Sequence, residues 1–221
     1  MRFVMRWLIV LAVPVILIVG GVRLATLPWF PVWEYSRPGF PPDTYGMQQG
    51  ERLVLARASI NFLNLPRDLS ILEALRLSDG AVAFNARELS HMDDVKQVYD
   101  RITVWALLAF VLALSAGWVL KHRGEGDVIW GALSDGGLAT LLLFFALGLL
   151  MVLSWRDFFV GLHHIFFEGD SWLFLRSDTL IRLFPERFWR DAGFLVAASV
   201  SSVAFALALF GRALHRRLAK A

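Results

Sequence analysis

The chain has 221 residues, of which 57% are hydrophobic and 14% aromatic, and its formal net charge is +3. This composition is typical of an integral membrane protein and argues against a soluble domain. A charge this small, carried mostly by the two ends of the chain, does not indicate a nucleic-acid partner. Cysteine is absent, which excludes disulfides, thiolate metal sites and a cysteine nucleophile.

Four apolar windows are long enough to cross about 30 Å of hydrocarbon. They cover residues 7–27, 102–120, 138–154 and 193–211. Because no small-residue cleavage site follows the first window, we predict a span there and not a signal peptide. The prediction is a mainly α integral membrane protein with four transmembrane helices, in which residues 1–221 form a single membrane domain.

The orientation follows from basic residues in the short flanks of the spans. Those predicted to be cytoplasmic are Arg2, Arg6, Lys121, Arg123, Arg212, Arg216, Arg217 and Lys220. By the positive-inside rule both termini are then cytoplasmic, and residues 28–101 and 155–192 form an extracytoplasmic cap. Five arginines between residues 155 and 192 count against this orientation, but an odd number of spans would be needed to change it.

The cap segments carry several local signals. Residues 47–64 have apolar side chains at helical spacing, which predicts an amphipathic helix. Asp79-Gly80 predicts a tight hairpin turn, so we expect a small α+β cap. Asn85 and Glu88 match a capping box that begins a helix, and this helix is predicted to run without a break into the second span.

Two segments next to the spans carry histidines. On the helix after Asn85, His91 shares a face with Glu88 and Asp94, so a carboxylate could orient the imidazole. The alternative is a solvated surface histidine. In the amphipathic segment 155–167, His163 and His164 would point about 100° apart on a helix, so they cannot easily face one site together. The alternative there is that both lie at the lipid–water interface.

Most catalytic signatures are absent from the sequence. It has no Gly-x-Ser-x-Gly nucleophile elbow, no His-Glu-x-x-His zinc motif and no glycine-rich phosphate loop. Adjacent histidines chelate poorly on a helix, so we expect neither a metal nor another cofactor. What remains is acid–base catalysis by histidine, and a site at the lipid boundary favours acyl transfer between two groups of one bound lipid.

Two blocks of residues carry a family resemblance. The first comprises Phe84-Asn85, Glu88-Leu89-Ser90-His91-Met92 and Asp94-Val95-Lys96. The second comprises His163, Ile165-Phe166-Phe167, Asp170-Ser171-Trp172, Asp178-Thr179-Leu180-Ile181, Phe184-Pro185-Glu186 and Phe188-Trp189. Together with the span layout, these blocks resemble the bacterial lipoprotein intramolecular transacylases over nearly the whole chain.

The resemblance implies a four-span enzyme of the bacterial cell membrane. Its activity would move an acyl chain from the sn-2 position of the glyceryl group to the α-amine of the N-terminal cysteine. The partners implied are a diacylglyceryl-modified lipoprotein as substrate and membrane lipid around it. The resemblance also implies that His91 and His163 are the catalytic pair, with His164 as the neighbouring candidate. It leaves open which histidine is the base.

The remaining site residues are predicted to orient the histidines or line the pocket: Glu88, Asp94, Lys96, Phe166, Phe167, Trp172 and Arg182. The carboxylates would orient His91, the aromatic rings would wall a dry pocket, and the cations would contact polar groups of the substrate. Two other functions stay open. One is a lipid-modifying enzyme with another substrate, and the other is a non-enzymatic membrane protein whose cap binds a partner. Convergence of His91 and His163 would favour an enzyme.

Overall fold

The computed structural model describes residues 1–66 and 68–220, and this part of the chain is almost entirely helical. Its helices are, in order, α1 (Arg2–Ala25), α2 (Trp29–Ser36), α3 (Gln49–Asn64), α4 (Ser70–Glu73), α5 (Ala86–His122), α6 (Gly126–Leu153), α7 (Trp155–Phe166), α8 (Thr179–Leu183) and α9 (Glu186–Leu218). As predicted, α5 runs from the end of the hairpin region through the second apolar window without a break.

Four of these helices, α1, α5, α6 and α9, are long and apolar enough to cross a membrane. The chain is therefore a multi-pass membrane protein, as the composition predicts. Helices suit this setting because, except at their ends, they pair their backbone N–H and C=O groups internally where lipid offers no partner. In α5 the apolar part begins near Ile102, so the polar residues 86–101 precede the spanning segment.

The residues divide into two compact units. The first unit contains Met1–Arg23, Arg101–Trp155 and Leu195–Ala221, and the second contains Leu24–Asp100 and Arg156–Phe194. Most of the apolar length of the four long helices belongs to the first unit. The second unit contains all of α2, α3, α4 and α8 and nearly all of α7.

In the first unit, α6 and α9 approach each other closely through small residues. A Cβ atom at Gly137 would lie 2.6 Å from the carbonyl oxygen of Ala204 and 2.9 Å from the amide nitrogen of Ala208. Nearby, the hydroxyl of Ser134 donates a hydrogen bond of 2.9 Å to the carbonyl oxygen of Ala208. Small residues allow such backbone contact, which strengthens van der Waals packing between helices in lipid.

The second unit has a helical core without the predicted β component. Within the described residues, the hairpin region contributes only one isolated bridge, between Arg76 and Val82. The turn itself is present, since the amide of Leu77 donates to the carbonyl oxygen of Ala81 over 2.8 Å and Gly80 has φ +87°. The expected α+β cap is therefore not confirmed. The turn is present, but the hairpin is too short for the segments on either side of it to form paired strands.

Buried aromatic and aliphatic side chains hold the second unit together. Phe30, Phe62, Leu72 and Leu183 are almost completely buried. The hydroxyl of Tyr35 donates a 2.6 Å hydrogen bond to the carbonyl oxygen of Leu183, which ties α2 to the end of α8. This core fixes the α8 segment that contributes to the site described below.

Replacing Gly137 by alanine should destabilise the protein by about 1–3 kcal/mol, because the new methyl group would meet backbone atoms of α9 that cannot rotate away. The matched control is Gly148→Ala in the same helix, where the added Cβ would meet open space. Thermal unfolding of the purified proteins in detergent should show a lower Tm for Gly137→Ala and no loss for Gly148→Ala. Equal Tm values for the two variants would contradict close packing at Gly137.

Candidate active site

The site begins at the N-terminus of α5, where the predicted capping box is confirmed. The side-chain oxygen of Asn85 accepts hydrogen bonds of 3.0 Å from the amides of Arg87 and Glu88. In return, Oε2 of Glu88 accepts a 2.8 Å hydrogen bond from the amide of Asn85. These contacts satisfy backbone donors that the first turn of a helix leaves unpaired, and they fix where α5 begins.

The second carboxylate oxygen of Glu88 contacts a residue of the second unit that is far from it in sequence. Oε1 accepts a 2.7 Å hydrogen bond from the amide of Leu180 in α8. The side chain is almost completely buried, and this burial raises the pKa of Glu88. Among the described residues, no hydrogen bond joins Glu88 to His91. Glu88 thus positions the first turn of α5 through backbone contacts, which differs from the direct orienting role predicted for it.

His91 lies in a closed aromatic environment before the spanning part of α5. It is 8% exposed, and its Nδ1 atom has no hydrogen-bond partner within the described residues. Its ring centroid lies 5.0 Å from that of Phe167 and 5.3 Å from that of Phe174. Burial, with a smaller effect from His163, lowers the pKa of His91 to about 4. The imidazole is therefore neutral at physiological pH.

His163, on α7, is held by a hydrogen bond to its own helix. Its Nδ1 atom lies 2.8 Å from the carbonyl oxygen of Phe159. Because a carbonyl oxygen can only accept, Nδ1 carries the proton and Nε2 of the neutral ring carries a lone pair. Burial lowers the pKa of His163, although the Phe159 hydrogen bond acts in the opposite direction. His163 is thus arranged as a neutral imidazole with Nε2 available as an acceptor.

The two imidazoles come together inside one aromatic cluster. Their centroids lie 6.5 Å apart and their planes differ by 18°. Phe167 contacts both rings, at 5.0 Å from His91 and 5.8 Å from His163, and Trp172 lies 4.8 Å from His163. His164, in contrast, is exposed and has its ring edge-on to Trp172 at 5.3 Å. The geometry therefore brings His163, and not His164, next to His91.

Other predicted site residues lie at varying distances from this pair. Phe166 is 45% exposed, and its ring lies 6.5 Å from that of Phe167. Lys96 donates a 3.1 Å hydrogen bond to the carbonyl oxygen of Leu65, so its ammonium faces the end of α3. Asp94 is partly buried and makes no hydrogen bond or ion pair with the described residues.

Arg182 is engaged inside the protein. Its guanidinium forms a bidentate contact with Asp43, with both hydrogen bonds at 3.0 Å, and Asp43 holds the pKa of Arg182 above its usual range. Burial and bidentate geometry make this a strong structural ion pair. The predicted role in contacting substrate polar groups would require Arg182 to leave Asp43.

Two residues that contribute to the second unit, Asp43 and Phe174, were not predicted from the sequence, and Asp178 was named only as a member of the second family block. The carboxylate of Asp178 accepts a 3.0 Å hydrogen bond from Arg87 and a 2.8 Å hydrogen bond from the amide of Leu175. It therefore links the start of α5 to the loop that carries Phe174. Asp178 belongs to the second family block, which was a signal for it, whereas Phe174 lies outside both blocks.

The arrangement suits proton transfer in an apolar setting. Two neutral imidazoles lie together among the rings of Phe167, Trp172 and Phe174, and one of them has a defined lone pair. Within residues 1–66 and 68–220, no three histidine or carboxylate groups lie close enough together to hold a metal ion.

Comparisons with known proteins identify the family of the chain. A family model described as lipoprotein intramolecular transacylase Lit matches residues 7–189. A relative from Aquifex aeolicus (strain VF5), named only as an uncharacterized protein, is 32% identical over 228 residues, and the match covers all of this chain and 98% of the relative.

Solved structures show the same fold. The membrane-integral lipoprotein intramolecular transacylase Lit from Bacillus cereus superposes with a TM-score of 0.80 at 19% identity, covering all of this chain and 96% of that one. Two further structures of that protein, with one histidine changed to arginine or to alanine, give TM-scores of 0.70 and 0.71 at 18% identity. They are covered over 92% and 94% of their lengths.

Both histidines of the pair should titrate below the usual histidine range, because burial penalises the charged form. In a histidine-labelled NMR titration of the detergent-purified protein, His91 should titrate near pH 4 and His163 below about 6.5. The signals are assigned from His91→Asn and His163→Asn variants. A value for His91 at or above about 6.5 would contradict its dry, unpaired setting.

Proposed function

Because the chain belongs to the lipoprotein intramolecular transacylase family, we propose that His91 and His163 catalyse an sn-2 to N-terminal acyl transfer within a diacylglyceryl-modified lipoprotein. The protein is an intramolecular acyltransferase, and its substrate is a lipoprotein. The observation that carries the proposed mechanism is the meeting of two buried or half-buried imidazoles, from α5 and α7, in one aromatic cluster.

His163 is the general base. The hydrogen bond from its Nδ1–H to the carbonyl oxygen of Phe159 fixes the tautomer, so Nε2 is the atom that accepts a proton. The lowered pKa keeps this atom unprotonated at neutral pH. A histidine in this state can accept the proton of an attacking amine and return it to the leaving group.

The reaction needs no protein nucleophile. The neutral α-amine of the N-terminal cysteine attacks the carbonyl carbon of the sn-2 ester, and an N–C bond forms. Nε2 of His163 takes the proton that the amine loses. When the bond between the carbonyl carbon and the glyceryl oxygen breaks, His163 returns this proton to the oxygen. The products are an N-acylated cysteine and a free sn-2 hydroxyl, which is the lyso form.

His91 stabilises the oxyanion of the tetrahedral intermediate. Its buried Nδ1 has no partner among the described residues, and a buried polar atom of this kind gains more from a hydrogen bond than an exposed one does. In the tautomer that carries a proton on Nδ1, this atom donates to the carbonyl oxygen as negative charge develops there. A donor held ready for the transition state lowers the barrier without reorganisation.

Besides the two histidines, the proximity of the reacting groups and the exclusion of water contribute to catalysis. Ester and amine belong to one substrate molecule, so the enzyme has only to fold the two groups together, and correct orientation can contribute several kcal/mol, about 7–11 at best. Phe167, Trp172 and Phe174 surround the imidazoles with apolar surface. A dry pocket also protects the ester from hydrolysis.

The proposed location is the bacterial cell membrane, with both chain termini in the cytoplasm and residues 28–101 and 155–192 on the outer side. The support is the excess of basic residues at the ends of α1, α5 and α9 that would face the cytoplasm. A lipoprotein whose signal peptide has been removed presents its new α-amine on that outer side.

A reporter lipoprotein tests the proposal in a host that lacks N-acylation. Mass spectrometry of its N-terminal lipopeptide should show one acyl chain moved to the cysteine nitrogen, with no change in total mass. His91→Ala and His163→Ala should each slow this transfer by about a hundredfold or more, because each removes a group that acts on the transition state.

His164→Ala is the matched control, since it removes the neighbouring imidazole that lies on the exposed side of α7. It should keep most of the activity. Expression and gel filtration show whether each variant folds. Loss of activity in His164→Ala with normal activity in His163→Ala would reverse the assignment, and a free amine with well-expressed wild-type protein would refute the transfer itself.

A further inference from the structure

A basic cavity lies in the first unit, where the N-terminal turns of α1, the first turns of α6 and the last turns of α9 meet. Its volume is about 400 Å³. The charged and titratable side chains that line it are Arg2, Arg6, Asp135, Arg212, His215 and Arg216. It contains none of the residues of the candidate active site.

The positive charge of the cavity is only partly balanced. Arg6 pairs with Asp135, and Arg2 lies 3.5 Å from a carboxylate oxygen of Asp127. Arg212 and Arg216 make no hydrogen bond or ion pair with the described residues. They stand four residues apart on α9, a spacing at which like charges repel each other. An anion between them would relieve this repulsion.

The wall of the cavity is built around His215. Its Nδ1 atom donates a 2.7 Å hydrogen bond to the carbonyl oxygen of Asp127, which fixes the ring against the start of α6. A Cβ atom at Gly131 would lie 3.2 Å from this same Nδ1, so the glycine leaves room for the imidazole. The imidazole of His215 is therefore held in the wall of the cavity, between the exposed side chains of Arg212 and Arg216 along α9.

The surroundings indicate which anion the cavity accepts. Guanidinium groups match the oxygens of a phosphate group. Phe3 is 71% exposed and follows Arg2 in the chain, Trp7 is 40% exposed and follows Arg6, and Leu209 is 53% exposed one turn before Arg212. Such apolar surface suits acyl chains that hang from the bound phosphate. A free phosphate ion would gain nothing from it.

We propose that this cavity binds the headgroup phosphate of an anionic phospholipid, in the leaflet that lies on the side of the chain termini. Basic pockets between membrane helices recognise anionic headgroups in this way. The site is independent of the acyl-transfer chemistry, so binding can be measured without a lipoprotein substrate.

The test is native mass spectrometry of the full-length protein in detergent. The probes are phosphatidylglycerol, phosphatidylcholine with the same acyl chains, and inorganic phosphate. The wild-type protein should bind phosphatidylglycerol at least about tenfold more tightly than either other probe. Arg212→Gln with Arg216→Gln should weaken this binding about tenfold or more, since two phosphate contacts are lost.

The control removes the same charge outside the cavity, by Arg217→Gln with Lys121→Gln, and should leave binding within about twofold. Among the described residues, Asp135 is the one carboxylate that lines the cavity, so Asp135→Asn should tighten binding. This variant tests the site even where the double arginine variant folds poorly. Equal loss in the two double variants would overturn the site in favour of general surface charge. Equal binding of phosphatidylcholine, or of inorganic phosphate, would overturn the lipid assignment.

Discussion

The position of His91 depends on one buried carboxylate, that of Glu88. One of its oxygens closes the capping box on Asn85 and the other accepts the amide of Leu180, so a single side chain joins the start of α5 to α8. Removing one partner of such a buried hydrogen bond leaves the other polar group unsatisfied, which lowers the stability of the protein by about 1–3 kcal/mol or more. This contact fixes the residue at which α5 begins, and therefore the direction in which the side chain of His91 points.

The same second unit keeps its two imidazoles neutral by surrounding them with rings. Burial lowers the pKa of both histidines, and the aromatic side chains of Phe167, Trp172 and Phe174 provide the apolar walls. A neutral histidine with its Nδ1–H directed at a carbonyl has a defined acceptor atom, so His163 can take a proton without first losing one. The proposed reaction fits this state because its nucleophile is an amine of the substrate, so that the protein has only to move the proton of this amine.

Local features of the structure could be predicted from the sequence, and long-range ones could not. The apolar windows predict the four long helices, and Asn85 with Glu88 predicts the capping box, because both signals act over a few neighbouring residues. The 100° separation of adjacent helical residues predicted that only one of His163 and His164 faces the site, although it could not tell which. The contacts from Glu88 to Leu180 and from Arg182 to Asp43 join residues far apart in sequence, so no local pattern indicates them. The sequence predicted more β structure around Asp79-Gly80 than the structure contains. A turn signal does not show how far the segments on either side of the turn pair with each other.

The most direct test of the paired-histidine mechanism is a structure of the protein with a lipopeptide whose sn-2 ester is replaced by an amide that does not transfer. The mechanism predicts that the cysteine amine lies within about 2.6–3.2 Å of Nε2 of His163, or is joined to it by one water. It also predicts that the sn-2 carbonyl oxygen accepts a hydrogen bond from His91. A complex in which the sn-2 carbonyl and the amine both lie away from the two imidazoles would contradict it.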